Sequence, residues 1–173
     1  MTNYLKFSLF SIAILTFFIA SCGDDEPVTN PTCPAPSYQN QVATGSFMAD
    51  TYTFVDGSAK EDPFDSTHYQ ITFYGETPTG DMCDNFNFDL PEDRIIFSLP
   101  QQVGTYELGV ATGYSVSFNR VVTNNTSAEI ALCGEIEIQT ITADRVTGRL
   151  DVKVDDGSAA NFLNGNFDVI LCD

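Results

Sequence analysis

The chain has 173 residues, with 24 acidic side chains against 7 basic ones and a formal charge of −17. Nucleic acid is thereby excluded as a partner, because holding phosphates takes clustered Lys and Arg. The same charge repels an anionic lipid surface, and it suits solubility and loosely held divalent cations.

An apolar run from Phe7 to Ala20 follows Lys6 and closes on Ile19-Ala20-Ser21-Cys22. It is too short to span a bilayer comfortably, and small residues precede the cysteine, the layout of a cleavable signal peptide. The segment resembles a bacterial lipoprotein signal with its lipobox. That resemblance implies residues 1–21 as signal peptide and a mature chain that starts at Cys22, carrying a thioether-linked diacylglycerol and an N-acyl chain. Several acyl chains, at about 0.8 kcal/mol per buried CH₂, anchor far more firmly than one. The following Asp24-Asp25-Glu26 resembles the acidic export signal of surface lipoproteins in the Bacteroidota. The implied address is the outer membrane, lipid-anchored and facing the cell exterior, with the periplasmic face as the alternative. Losing residues 1–21 removes one positive charge, Lys6, so the mature chain would carry −18.

Residues 22–41 read as the lipidated cysteine and a tether. Pro27, Pro31, Pro34 and Pro36 are interleaved with polar residues and no apolar periodicity, a composition that favours an extended, semi-rigid spacer. Residues 42–173 then form a single domain with its own core. With Cys22 assigned to lipid, Cys33, Cys83, Cys133 and Cys172 remain, an even number in an oxidising compartment. Their wide spacing, without any C-x-x-C pair and with His68 the single histidine, argues against zinc. Sequence leaves three connectivities open; the expected pairs are Cys83 with Cys172 and Cys33 with Cys133. Each would contribute roughly 2–5 kcal/mol before native strain is subtracted.

From Val42 onward the pattern alternates with period two. Tyr69, Ile71 and Phe73 predict one buried strand face, with Gln70, Thr72 and Tyr74 opposite; Ile95, Phe97 and Leu99 predict a second. Further inward sets are Tyr106-Leu108-Val110, Tyr114-Val116-Phe118, Ala128-Ile130-Leu132, Leu150-Val152-Val154 and Phe167-Val169-Leu171. Turn signals at Gly104, Gly113, Asn124-Asn125, Asp156-Gly157 and Asn164-Gly165 separate them. No segment reads as an amphipathic helix. About 8–10 short strands predict an all-β, disulfide-stapled antiparallel β-sandwich, with a partly open β-barrel as the alternative.

One hairpin can be specified further. Placing Ile136 and Ile138 on the core face with Leu150 and Val152 requires paired residue numbers with an even sum. A sum of 288 leaves Ala143-Asp144-Arg145 as the loop, sets Glu135 opposite Lys153 and Gln139 opposite Arg149, and confronts Glu137 with Asp151 at some cost.

Chemistry-bearing constellations are sparse. His68 follows Asp65-Ser66-Thr67, but triad members converge from separate elements, so surface residues are the expectation and catalysis is not. Acidic pairs such as Asp62 with Asp65 or Glu92 with Asp93 are common in so acidic a chain and do not by themselves make a glycosidase. The oxygen-rich stretches Asp56–Asp65 and Asp81–Asp89 make Asp62, Asp65, Asp81 and Asp84 the candidates for a Ca²⁺ site, though neither fits a calcium-loop pattern and solvated loops are the plainer reading. No other cofactor is expected. Carbohydrate platforms favour flat exposed aromatics. The chain has no Trp, its Phe and Tyr fall mostly on inward positions, and Tyr52 and Tyr74 are the candidates for exposure.

Asp65-Ser66-Thr67 resembles the O-glycosylation acceptor of exported Bacteroidota proteins, which would place a sugar on Ser66. As a whole the chain is similar to small β-rich surface lipoproteins of that group, through residues 19–26, Gly104-Thr105-Tyr106-Glu107-Leu108, Gly134-Glu135-Ile136-Glu137-Ile138 and the ending Asn164-Gly165-Asn166-Phe167-Asp168-Val169 before a final cysteine. The resemblance implies a fold and an address without an activity. The expected function is a non-catalytic binding or accessory module, whose partner is a glycan, a protein of an outer-membrane complex or a host molecule. A structural surface coat without specific ligand is the alternative, and a carbohydrate-active enzyme the least favoured.

Overall fold

The computed structural model describes residues 33–84, 88–89, 91–122, 125–154 and 161–172. Cys22, the acidic triplet 24–26, the turn at 155–157 and Asn85, Asn87 and Asn124 lie outside the described residues. The described residues are all-β, without a helix: β1 (Thr44–Phe47), β2 (Asp50–Thr53), β3 (Asp56–Asp62), β4 (Asp65–Tyr74), β5 (Thr79–Gly80), β6 (Phe88–Asp89), β7 (Asp93–Pro100), β8 (Gly104–Glu107), β9 (Val116–Val122), β10 (Asn125–Ala131), β11 (Cys133–Ile141), β12 (Arg145–Lys153) and β13 (Phe162–Leu171). Of these, β5 and β6 pair only with each other; the rest form a mixed sheet curled into a half-barrel.

The main order is β10-β9-β7-β4-β3-β13-β12-β11-β8, antiparallel except where β13 meets β3. The ten-residue β13 serves two partners along one edge. Its first part pairs with β1, Thr44 opposite Asn164, and its last part pairs with β3, Ile170 opposite Ser58. The β1–β2 hairpin thus branches off the sheet and folds over the core, where Phe47 packs on Phe118 with ring centroids 5.8 Å apart.

Alternation explains the centre of the sheet. Ile71 and Phe73 on β4 lie opposite Phe97 and Ile95 on β7, and all four are buried. Phe73 is the hub, 4.7 Å from Phe54 and 5.1 Å from both Phe97 and Phe167. Such aromatic contacts each add about 0.5–1.5 kcal/mol beyond area burial. Two disulfides fasten the periphery: Cys33 to Cys133 and Cys83 to Cys172.

Several expectations are corrected. Residues 56–62, read as part of an oxygen-rich loop, form β3; its small residues fit because a Cβ on Gly57 would lie 2.8 Å from Val169 and 2.6 Å from the Thr72 carbonyl. On β10, Ile130 is 54 % exposed and Ala131 is the buried residue, because the register sets Ala131 opposite core residue Val116 and Ile130 opposite Ser117 on the other face. Strand β8 stops at Glu107, which leaves Val110 exposed in the following loop. Tyr52 and Tyr74, the expected exposed aromatics, are each only 4 % exposed.

The β11–β12 hairpin pairs with a sum of 286, so Glu137 faces Arg149 and Glu135 faces Asp151. Arg149 Nε donates to Glu137 Oε2 at 2.6 Å, an attraction that the expected register would have replaced with repulsion from Asp151. A register shift between Ile138 and Thr140 leaves Gln139 out of the ladder and moves the loop to 142–144. Ile138 then faces Gly148, where any Cβ would lie 2.6 Å from the Phe167 ring.

The strand β10 runs into β11 through Leu132 alone, and Gly134 turns this corner with φ of +115°. A Cβ there would sit 1.9 Å from the Asp151 carbonyl oxygen. Gly134→Ala is expected to destabilise the fold by at least about 1–3 kcal/mol, from backbone strain alone, read as a lower urea midpoint at unchanged slope.

Candidate functional site

A cleft of about 530 Å³ lies between β2, the segment after β4, the start of β7 and β9. Its walls carry Thr51, Tyr52 and Thr53 from β2, Gly75 and Glu76, then Pro91, Glu92 and Asp93, and Arg120 from β9. These segments meet because β4 and β9 flank β7 antiparallel, which brings Tyr74 beside Arg94 and Arg120 beside Asp93.

Arg120 organises the site. Its Nε donates to Asp93 Oδ1 at 2.7 Å and its Nη2 to Asp93 Oδ2 at 2.8 Å, a two-pronged pair, and Nη2 also donates to Asp50 Oδ2 at 3.0 Å. The guanidinium carbon lies 5.3 Å from the Phe47 ring centroid. The hydrogen bonds that Arg120 donates to Asp93 dominate in holding the guanidinium charged. Arg120 therefore ties β9 and β7 to the branching hairpin, and sets the charge of the cleft wall.

Tyr52 stacks on Phe47 at 5.7 Å, and Gly75 makes room for it, since a Cβ there would meet the ring at 3.0 Å. Burial first, and then the Asp93 carboxylate, pushes the phenol pKa upward, so the hydroxyl stays protonated. That hydroxyl has no hydrogen-bond partner among the described residues.

A second, smaller site lies where the chain before β1 crosses the sheet. Residues 33–41, expected as the end of the tether, run over the face of β11, β12 and β13 that is turned away from the core. Ser37 N donates to Asp151 Oδ2 at 2.8 Å, Gln39 N to Asn164 Oδ1 at 2.9 Å, and Asn166 Nδ2 to Asn40 Oδ1 at 3.0 Å. The Tyr38 hydroxyl donates to the Glu135 carboxylate while Arg149 lies 4.1 Å over its ring, and burial, followed by that hydrogen bond, raises the Tyr38 pKa. The Cys33–Cys133 disulfide pins the strap at its start.

Of the residues named from sequence, Tyr52, Glu92 and Asp93 line the cleft, whereas the candidates for Ca²⁺ and for glycosylation are not among its lining residues. Asp62 accepts from Phe64 N at 2.8 Å, and hydrogen bonds led by the Ser98 hydroxyl hold its pKa down. Asp65 accepts from Thr67 N at 2.9 Å and pairs with His68 Nδ1 at 2.8 Å; the Thr67 hydroxyl is foremost in lowering its pKa. Ser66 is exposed beside them. Asp81 accepts from Cys83 N at 2.9 Å, and the charges of Asp81 and Asp84 bear on Lys60, whose pKa burial lowers. Among the described residues no three His, Cys, Asp or Glu side chains are gathered so as to hold a metal ion.

Sequence reading missed Tyr52, Asp93 and Arg120 as a site. The available signal was scarcity: with 7 basic residues against 24 acidic, an Arg inside an alternating strand has many carboxylates from other segments to pair with. No protein-family model, curated protein or solved structure matches the chain.

Replacing Arg120 by Ala is expected to cost about 1–3 kcal/mol, because Asp93 loses a charge-assisted, bidentate partner. Arg120→Lys should recover less than half of this, since an ammonium cannot make the fork. Urea unfolding of the three proteins checks both statements.

Proposed function

We propose that this chain is an outer-membrane lipoprotein, held by lipid on Cys22, whose β domain faces the cell exterior as a non-catalytic binding or accessory module. The observation that carries the reading is Ile19-Ala20-Ser21-Cys22 at the end of an apolar run, followed by three acidic residues. The strap supports it, because a domain that holds residues 33–41 against its own surface leaves only residues 23–32 as spacer after the anchor. Eleven steps from Cys22 to Cys33, at about 3.1 Å per residue when extended, give a reach of about 34 Å. The domain would stand close to the membrane, where its charge keeps it from lying flat on anionic lipid.

Binding is favoured over catalysis by how the acidic turns are used. The carboxylates of Asp62, Asp65 and Asp81 each accept backbone N–H groups of their own turns, so they serve turn closure. The burial of Tyr52 and Tyr74 removes the aromatic argument for a glycan partner and leaves the polar cleft as the place where a ligand would sit.

The test is metabolic labelling with an alkynyl fatty acid, combined with protease shaving of intact cells. The label is expected on the native chain and absent from Cys22→Ala. Shaving should digest the native domain, and changing Asp24, Asp25 and Glu26 to Ala should protect it. An unlabelled native chain overturns the anchor; a native domain that is cut only after the envelope is opened overturns outward display.

A further inference from the structure

We propose that the two disulfides let the displayed domain survive proteolytic nicking: cut by an endoprotease in any two of its three arcs, it stays one folded covalent molecule on its anchor. The inference goes beyond the binding-module reading and rests on it for the anchor alone.

Covalent connectivity carries the first half of the argument. The Cys33–Cys133 and Cys83–Cys172 bridges interleave along the chain, so they create two junctions joined by three arcs, residues 33–83, 83–133 and 133–172. Every arc runs from one junction to the other, and the domain separates only when all three are cut. The other two pairings of the same cysteines would be weaker. Had Cys33 paired with Cys83 and Cys133 with Cys172, one cut in the middle arc would divide the domain. Had Cys33 paired with Cys172 and Cys83 with Cys133, a cut in each outer arc would do so. Each bridge also keeps one half buried, Cys133 and Cys172, which limits the access that thiol–disulfide exchange requires.

Packing carries the second half. The arcs supply β1–β5, β6–β10 and β11–β13 in turn, and they interlock in the main sheet. Strand β4 of the first arc pairs with β7 of the second, β11 of the third with β8 of the second, and β13 of the third with β1 and β3 of the first. One ring from each arc meets at the hub, Phe97 and Phe167 each 5.1 Å from Phe73 and 6.3 Å from one another. Exposed turns are where proteases nick, and every arc has one: Pro63-Phe64 in the first, with Phe64 95 % exposed, 110–113 in the second and 142–144 in the third. Hydrolysis there breaks one C–N bond, water giving its hydroxyl to the new carboxyl group and a proton to the new amine. It removes no ladder pair.

The experiment places the recognition sequence of a site-specific endoprotease in these three turns of the full chain, singly, in pairs and together. Limited chymotrypsin digestion of the unaltered chain, with Phe64 as the expected first site, repeats the measurement without inserts. After one or two cuts, denaturing gels without reductant are expected to show one species, heavier than the same chain uncut by one water per cut, and fragments once dithiothreitol is added. The nicked chain should keep its native circular dichroism and melt cooperatively at a lower temperature, because its unfolded state regains freedom. Three cuts should give two species: the stretch before the first cut joined to the stretch between the second and third, and the remaining two joined to each other. On cells, the shaved domain should run as fragments on reducing gels yet stay with the cells until reductant is added. Separation after two cuts without reductant, or loss of the β signal in the nicked chain, overturns the proposal. The gel and dichroism readouts need neither lipid nor display, so failure of the anchor, seen as an unlabelled chain, leaves them untouched.

Discussion

The covalent continuity of β10 and β11 is the constraint on which the fold depends. In the hydrogen-bonded order these strands stand seven spacings apart, with β9, β7, β4, β3, β13 and β12 between them. On a flat sheet that would be about 34 Å at the usual inter-strand distance. The chain gives them Leu132 alone, and Ala131 and Cys133 lie at most about 7 Å apart across two peptide units. The sheet therefore has to curl until the end of β10 reaches the start of β11. Its inner face then closes around Phe73, Phe97 and Phe167, and the hairpin that branches from β13 covers the core with Phe47 and Tyr52. Gly134 follows from the same demand, since only a residue without Cβ can turn the corner so close to the Asp151 carbonyl.

Scarce positive charge shapes the surface in a similar way. Each arginine with a resolved partner joins neighbouring strands: Arg120 links β9 to β7 and β2, Arg149 links β12 to β11, and Arg145 links β12 to β13 through Asp168 at 2.5 Å. Excess carboxylate does not guarantee a partner, and position decides: Arg94 on β7 enters no ion pair found among the described residues, and its buried Nε has no hydrogen-bond partner there. The most exposed of the pairs, Arg145 with Asp168, stabilises only weakly, by about 0–1 kcal/mol. The larger effect of such pairs is on register, where a like-charged alternative is penalised. Arg149 illustrates this by facing Glu137 on one side while covering Tyr38 of the strap.

Where local sequence and burial agree, the fold was legible. The alternation of β4, β7 and β13 identified strands and inward faces, because both strand neighbours and the core impose the same period. Strand β3 was not legible: Asp56-Gly57-Ser58-Ala59-Lys60-Glu61-Asp62 has poor strand propensity, and only the squeeze between β13 and β4 makes small residues the right ones. The β11–β12 register was half legible. Sums of 286 and 288 keep the same side chains inside, so hydrophobic pattern could not choose, and the bulge at Gln139 left no mark in the sequence. The face of β10 was misread because the strand is an edge whose core contact is confined to its last residue.

The cleft was illegible for a different reason. Tyr52, Glu76, Glu92 and Arg120 come from four segments spread over about half the domain, and nothing local relates them. What unites them is the branch in the sheet. Because β13 pairs with β1 before it pairs with β3, β2 is carried away from the main path and across to β9, where Asp50 reaches Arg120. The hairpin covers the core but meets β7 and β9 only at their ends, so a cleft remains behind it. The residue that fills the gap between cleft and core is Tyr52, stacked on Phe47 and held in place by the absence of a side chain at Gly75. An apolar residue there would satisfy the core equally well. A tyrosine whose hydroxyl is buried without a hydrogen-bond partner among the described residues costs more than phenylalanine would.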